Sequence, residues 1–367
     1  MKFILKTLFL SWMFINAGVL LQAAEIDTKR GVADPDGNTM WYDCQLLGVE
    51  GKGWTDTESY YDRLPVKAKS NVPSSVWNLG HDSAGLCVYF ATDSSSMKVR
   101  WTLRKNSLSM PHMPATGVSG IDLYGRNEAG KWRFLGNGRP AGGTNCASFS
   151  PAVGKDNILY LPLYNGVKSI EIGIPKGKIL STPGQAYGKQ RKPIVFYGTS
   201  ITQGGCVSRP GLAATSIVGR ELDIPVINLG FSGSGKMEPE MANLLAELDP
   251  SIFVLDCLWN MNSGLVTERV DPFVRKLRTM HPSTPILLVE DSSFRNITPT
   301  DKGHLLRIVH DKLTKDGIKG LFFLSNEEML GDDFEGTVDG CHPNDLGMMR
   351  QASVFIKALA PLLSQSK

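Results

Sequence analysis

The sequence predicts two folds in tandem: an all-β sandwich of jelly-roll type, then an α/β/α unit built on a parallel sheet. Three observations carry this reading. Residues 25–180 show period-two alternation and turn dipeptides, with no amphipathic helix. From Pro193 onward, short wholly apolar runs alternate with helical stretches, the mark of a parallel sheet covered on both faces. Between the two lie residues 181–192, punctuated by Pro183, Gly184 and Gly188 and carrying Lys189, Arg191 and Lys192, which read as a linker. A chain of 367 residues suits two such units.

Residues 1–24 read as a secretory signal. Lys2 and Lys6 precede an apolar run from Leu8 to Leu21, and Ala23 and Ala24 offer small residues for cleavage. The run is short for a membrane span, so an uncleaved anchor is the lesser alternative. The expected product is exported, to the periplasm or outside the cell. The formal charge of +3 falls to +1 once Lys2 and Lys6 are removed. So even a balance carries no electrostatic footprint for nucleic acid or an anionic membrane. All six cysteines (Cys44, Cys87, Cys146, Cys206, Cys257 and Cys341) lie beyond the leader. Export permits their oxidation, although most also read as small buried apolar residues.

Within 25–180, Met97 to Arg104 alternates apolar and polar residues without a fault, as a half-buried strand does. Leu86 to Ala91 is a second strand. Ile121–Tyr124 and Trp132–Leu135 flank a polar glycine-bounded turn and read as a hairpin. Ile158–Tyr164 and Val167–Ile174 flank Asn165-Gly166, a strong short-range hairpin signal. Within 193–367, strands are expected near 194–197, 225–229, 252–258, 286–289 and 320–324. Helices are expected near 210–222, 237–248, 266–279, 300–315 and 344–362. In the last of these Met348, Ala352, Phe355, Ile356, Leu359 and Leu363 recur at helical spacing.

Ligands of such sheets bind at the carboxyl ends of the strands, and the chemistry-bearing residues fall there. Val195 to Tyr197 breaks into Gly198-Thr199-Ser200-Ile201-Thr202-Gln203-Gly204-Gly205. A tight strand-to-helix turn would expose the Ser200 hydroxyl beside backbone N–H groups. Ser200 reads equally well as a helix cap. Asp339-Gly340-Cys341-His342-Pro343 sets a carboxylate three residues before an imidazole. Together with a hydroxyl they form the parts of an acyl-transfer site, with His342 as general base and Asp339 orienting it. The alternative is a polar loop in which Asp339 caps the last helix. Gly233 follows the second strand and Asn260 the third; each could donate an N–H to an oxyanion or simply form a turn. Trp259 could stack on a sugar ring or belong to the core.

These pieces resemble the blocks of the SGNH (GDSL-type) hydrolases. Gly198-Thr199-Ser200-Ile201 stands at the Gly-Asp-Ser-Leu block, Gly233 at the second-block glycine, Asn260 at the third-block Asn, and Asp339 with His342 at the terminal Asp-x-x-His. The resemblance spans 193–365 and implies a flavodoxin-like α/β/α fold. It implies Ser200 as nucleophile, with the oxyanion held by the Ser200 and Gly233 amides and the Asn260 side chain. Thr199 and Ile201 depart from the block. So does Leu258-Trp259-Asn260-Met261, which lacks the usual Gly and second Asn/Asp and leaves Asn262 as a fallback donor. Gly120-Ile121-Asp122-Leu123-Tyr124 resembles the Gly-x-Asp-Leu-Tyr segment of the β domain that precedes a bacterial SGNH subgroup. Asp122 and Tyr124 are read there as tying down a sandwich corner. The loop 110–119, with His112, is read as a wall that reaches the cleft and contacts substrate. One disulfide among Cys206, Cys257 and Cys341 would pin the loops around the site.

The expected protein is an exported serine esterase acting on short-chain, chiefly acetyl, esters of a carbohydrate, with no metal or organic cofactor and no nucleic-acid partner. The alternatives are a carbohydrate-binding protein with a decayed hydrolase half, and an acyltransferase or lipase using the same triad.

Overall fold

The computed structural model describes residues 24–184, 191–295 and 297–365. The expected leader, apart from Ala24, and the middle of the expected linker lie outside them. The β region contains Val32–Ala33 (β1), Thr39–Asp43 (β2), Cys87–Thr92 (β3), Met97–Leu103 (β4), Ile121–Arg126 (β5), Trp132–Gly138 (β6), Thr144–Phe149 (β7), Asp156–Tyr160 (β8), Val167–Pro175 (β9) and Leu180–Ser181 (β10). These form two antiparallel sheets, ordered β1-β2-β9-β4-β7 and β10-β3-β8-β5-β6. Alternation in β4 puts Met97, Val99, Trp101 and Leu103 inward. There they meet Val88 and Phe90 of β3 and Leu123 of β5 in one core.

The hairpin expected around Asn165-Gly166 does not form. β8 pairs with β3 and β5, whereas β9 pairs with β2 and β4 in the other sheet. The chain changes sheets here, and the fully buried Asn165 is consumed in a local network. Its side chain accepts from Lys105 N at 2.8 Å and donates to Lys105 O at 3.1 Å and Ser119 Oγ at 3.0 Å. The hairpin expected at 121–135 does form, as β5 on β6.

Two short helices, Ser74–Leu79 (α1) and Ala115–Val118 (α2), lie within the β region. The α/β region follows the expected alternation. Its strands are Ile194–Gly198 (β11), Val226–Gly230 (β12), Ile252–Asp256 (β13), Ile286–Val289 (β14) and Leu321–Leu324 (β15). All pair in parallel, in the order β12-β11-β13-β14-β15. This is the doubly wound 2-1-3-4-5 arrangement, with its switch point at β11. Its helices are Ser200–Gln203 (α3), Ala214–Leu222 (α4), Pro239–Leu245 (α5), Ser263–Met280 (α6), Asp301–Lys315 (α7) and Asp345–Gln365 (α8). Buried residues of α5, α6 and α7 pack on one face of the sheet, and those of α4 and α8 on the other.

Both faces extend into the β region. Trp54, Leu64, Val76 and Trp77 join the first core, and Met113, Val118, Leu163 and Tyr164 join the second. Arg63, 1 % exposed, locks the junction. Its guanidinium donates to Asn228 O (3.0 Å) and Gly230 O (2.9 Å) at the end of β12, and to Asp82 O and Leu79 O, each at 2.8 Å. Among the described residues no helix is long and apolar enough to cross a membrane.

Candidate active site

β11 ends at Gly198, where a Cβ would lie 2.0 Å from Thr202 Oγ1, so only glycine lets the strand enter the turn so tightly. Thr199 caps α3. Its hydroxyl accepts from Ile201 N, while Thr202 Oγ1 accepts from Thr199 N at 3.3 Å. Thr199 therefore does the capping open to Ser200 on sequence grounds, and the Ser200 hydroxyl is left for another partner. Gly204, at φ +117, ends the helix after one turn.

That partner is His342. Ser200 Oγ lies 2.9 Å from His342 Nε2, and His342 Nδ1 lies 2.8 Å from Asp339 Oδ2. With Nδ1–H donating to the carboxylate, a neutral ring presents Nε2 as acceptor for the serine proton. Asp339 Oδ1 also accepts from the amides of Cys341 (3.0 Å) and His342 (2.8 Å). Burial pushes this carboxyl up, but the His342 and Cys341 bonds outweigh it and hold Asp339 below the usual carboxylate range. Asp339 does not cap α8; Asn344 does, accepting from Gly347 N at 3.0 Å.

Gly233 follows β12 with φ +65, and open space lies where a Cβ would point. Among the described residues no protein group accepts its N–H. Asn260 closes a 3₁₀ turn after β13. Its amide donates to Ser234 O and, at 3.5 Å, to Phe231 O, so it ties down the loop that carries Gly233. Asn262 caps α6, accepting from Leu265 N at 2.9 Å. Trp259 is half-buried, donates to Ser292 Oγ at 3.1 Å, and has the Lys302 ammonium 5.3 Å over its ring. His112 sits at the exposed tip of a turn closed by reciprocal Met110–Met113 backbone bonds of 3.0 and 3.1 Å. Its ring meets that of His342 edge to face, with centroids 5.5 Å apart.

The β region contributes more than the sequence indicated. Tyr164 Oη donates to Ser200 O at 2.9 Å. Gln203 accepts from Ser232 N (3.0 Å) and donates to Leu163 O (3.0 Å) and to Asp82 (3.3 Å). Gln203 lay in the nucleophile motif and was open to notice; nothing in the sequence marks Tyr164. Asp122 and Tyr124 do more than tie down the sandwich, where Asp122 Oδ1 accepts from Asn137 Nδ2 at 2.7 Å and Tyr124 packs against Ile158 and Tyr160. They also reach across to Arg209, 2.9 Å and 2.6 Å away.

The expected disulfide is absent, because Cys206, Cys257 and Cys341 are all free thiols. Cys257 points beneath the sheet, its thiol 3.5 Å from Tyr197 O. Among the described residues two groups bring metal-ligating atoms within 4.8 Å of one another: His112, Cys206 and His342; and Glu58, Asp62 and His81. In the first, His342 is engaged with Ser200 and Asp339, and burial pushes the Cys206 thiol up to about 12, away from the thiolate a metal needs. In the second, Lys69 (2.8 Å) already neutralises Glu58 and Arg104 (3.7 Å) faces Asp62.

An α/β/α unit that holds a hydroxyl, an imidazole and a carboxylate in series at its switch point is the arrangement of a serine ester hydrolase. Residues 191–360 match the GDSL-like lipase/acylhydrolase family, and residues 39–180 match the N-terminus of SGNH-hydro-type esterases, named for its GxDLY motif. No curated protein matches the chain. A putative GDSL-like lipase from Bacteroides ovatus is 35% identical over 89% of this chain and 98% of its own, with a TM-score of 0.82. The salicylyl-acyltransferase SsfX3 of a tetracycline biosynthetic pathway has a TM-score of 0.67 at 20% identity, covering 91% of this chain and 97% of its own. A family two carbohydrate esterase from Cellvibrio japonicus has a TM-score of 0.53 at 14% identity, covering 94% and 96%. The last two share the fold alone. The chain belongs to the GDSL-like, SGNH-type lipase/acylhydrolase family and is a serine ester hydrolase of that class.

Proposed function

We propose that this hydrolase is an exported esterase that removes short acyl groups, acetyl first among them, from a carbohydrate. The observation that carries the reading is the continuous series Ser200 Oγ–His342 Nε2 (2.9 Å) and His342 Nδ1–Asp339 Oδ2 (2.8 Å). Ser200 attacks the ester carbonyl while His342 takes its proton. Asp339 holds the ring orientation and stabilises the imidazolium. The Ser200 and Gly233 N–H groups receive the oxyanion, joined by the Asn260 amide once it turns from the Ser234 carbonyl. His342 returns the proton to the sugar oxygen as it leaves. It then activates water against the acyl-enzyme, so no step calls for a metal or organic cofactor.

Carbohydrate is favoured because His112, exposed beside the His342 ring, offers a polar contact, and the half-buried Trp259, next in the chain to Asn260, would offer an aromatic one. The carbohydrate esterase neighbour has the same two-part fold, and the amino-terminal leader motivates export. The test is hydrolysis of 4-nitrophenyl acetate, butyrate and octanoate, then of acetylated glycans, with Ser200→Ala as control. Acetate-selective turnover that vanishes in the variant supports the proposal. A preference for octanoate, or acylated product formed only when an acceptor is added, overturns it in favour of a lipase or a transferase.

A further inference from the structure

The Asp122 and Tyr124 side chains meet the α/β region at one place. Asp122 is fully buried on β5. Its Oδ2 accepts from Arg209 Nη1 and from Gly211 N, both at 2.9 Å, and its Oδ1 accepts from Asn137 Nδ2 at 2.7 Å. Arg209 Nη1 also donates to Tyr124 Oη at 2.6 Å, and its guanidinium lies 3.8 Å over the Phe134 ring. A Cβ on Gly211 would lie 2.3 Å from the Tyr124 ring, so the backbone is pressed onto the motif.

The segment gripped in this way starts directly after the Ser200 helix, and its other side holds the turn that carries His342. Cys206 N donates to Pro343 O at 2.8 Å. Ser208 donates to Asp345 twice, from its amide (2.7 Å) and its hydroxyl (2.6 Å). Thr116 Oγ1, from the β region, donates to Ser208 O at 2.5 Å. Pro343 and Asp345 lie one and three residues beyond His342.

We infer that Asp122 is a positioning residue for catalysis: through Arg209 and Gly211 it fixes segment 205–211, and that segment fixes the His342 turn against Ser200. The inference rests on the reading of Ser200, His342 and Asp339 as the catalytic set. It gives the Gly-x-Asp-Leu-Tyr motif a chemical task. The β region is part of the machinery because a shift of about 1 Å in a base can cost on the order of a hundredfold in rate.

The test uses the full chain with Asp122→Asn, Ser208→Ala and Arg209→Lys. Two readouts are taken: kcat and KM on 4-nitrophenyl acetate, and the rate of Ser200 labelling by a fluorophosphonate. Asp122→Asn and Ser208→Ala should each lower kcat about 10- to 100-fold and slow labelling equally, with KM within about threefold of the parent. Arg209→Lys should retain most of the rate, because one ammonium placed where Nη1 stands reaches both Asp122 and Tyr124. A folded Asp122→Asn protein with unchanged kcat overturns the inference, as does an effect confined to the unfolding temperature. If Asp122→Asn does not fold, Ser208→Ala decides in the same way, since it leaves the ion pair intact. Failure of the parent protein to label at Ser200 would instead overturn the catalytic reading.

Discussion

The Ser200 hydroxyl lies 2.9 Å from His342 Nε2 although 142 positions separate the two residues in the chain. Two elements close that distance: β11, which ends in the serine turn, and the Asp339–His342 turn just before α8. Both stand at the carboxyl side of the same sheet.

Ser200→Ala and His342→Ala should each reduce kcat for an aryl acetate by about 10⁴-fold or more. Asp339→Asn should approach the same loss, because the amide no longer holds the imidazole in its acceptor tautomer. Circular dichroism and unfolding temperature should stay near the parent. Residual turnover above a few per cent in Ser200→Ala would show another nucleophile.

Asp256 sits buried beneath the nucleophile turn, accepting from Thr202 Oγ1 at 2.7 Å. Burial raises its pKa to about 7, against the pull of that bond and with help from nearby Asp291. A folded value above the unfolded one means that the native state keeps a proton which the unfolded chain releases between about pH 4 and 7. Stability from this group is thus present at low pH and lost as pH rises through that window, by about 4 kcal/mol at most. Asp256→Asn should flatten the fall in unfolding free energy between pH 4 and 8. Equal slopes in both proteins would refute this.

Arg63 satisfies four backbone carbonyls at the junction of the two regions. Replacement by Met fills much of the volume but leaves those carbonyls without a donor. Arg63→Met should therefore cost about 3–5 kcal/mol in denaturant unfolding. A loss under about 1 kcal/mol would mean that solvent enters the junction and replaces the guanidinium.

His112 is carried to the His342 ring by the Met110–Met113 turn. On an acetylated glycan, His112→Ala should raise KM about tenfold, equivalent to roughly 1.4 kcal/mol of binding, with kcat much less affected. Unchanged KM would remove His112 from the substrate site.

The sequence by itself determined the β-then-α/β order, all five parallel strands, and the helices that cover them, because hydrophobic period is a local property. The turns that carry Ser200 and Gly233 were legible for a related reason, since a chain that leaves a strand end tightly needs glycine, and Asp339 and His342 were legible as candidates from their three-residue spacing. Only the tertiary structure decided the relations between distant residues. It gave the capping role to Thr199 and thereby freed Ser200. It sent β8 and β9 into different sheets although Asn165-Gly166 reads as a hairpin. It left Cys206, Cys257 and Cys341 unpaired, and it gave Asp122, bonded to Asn137 within its own sandwich, a second partner in Arg209. Each of these outcomes depends on which surfaces are buried against each other, and buried polar groups take whatever partner that packing brings within reach.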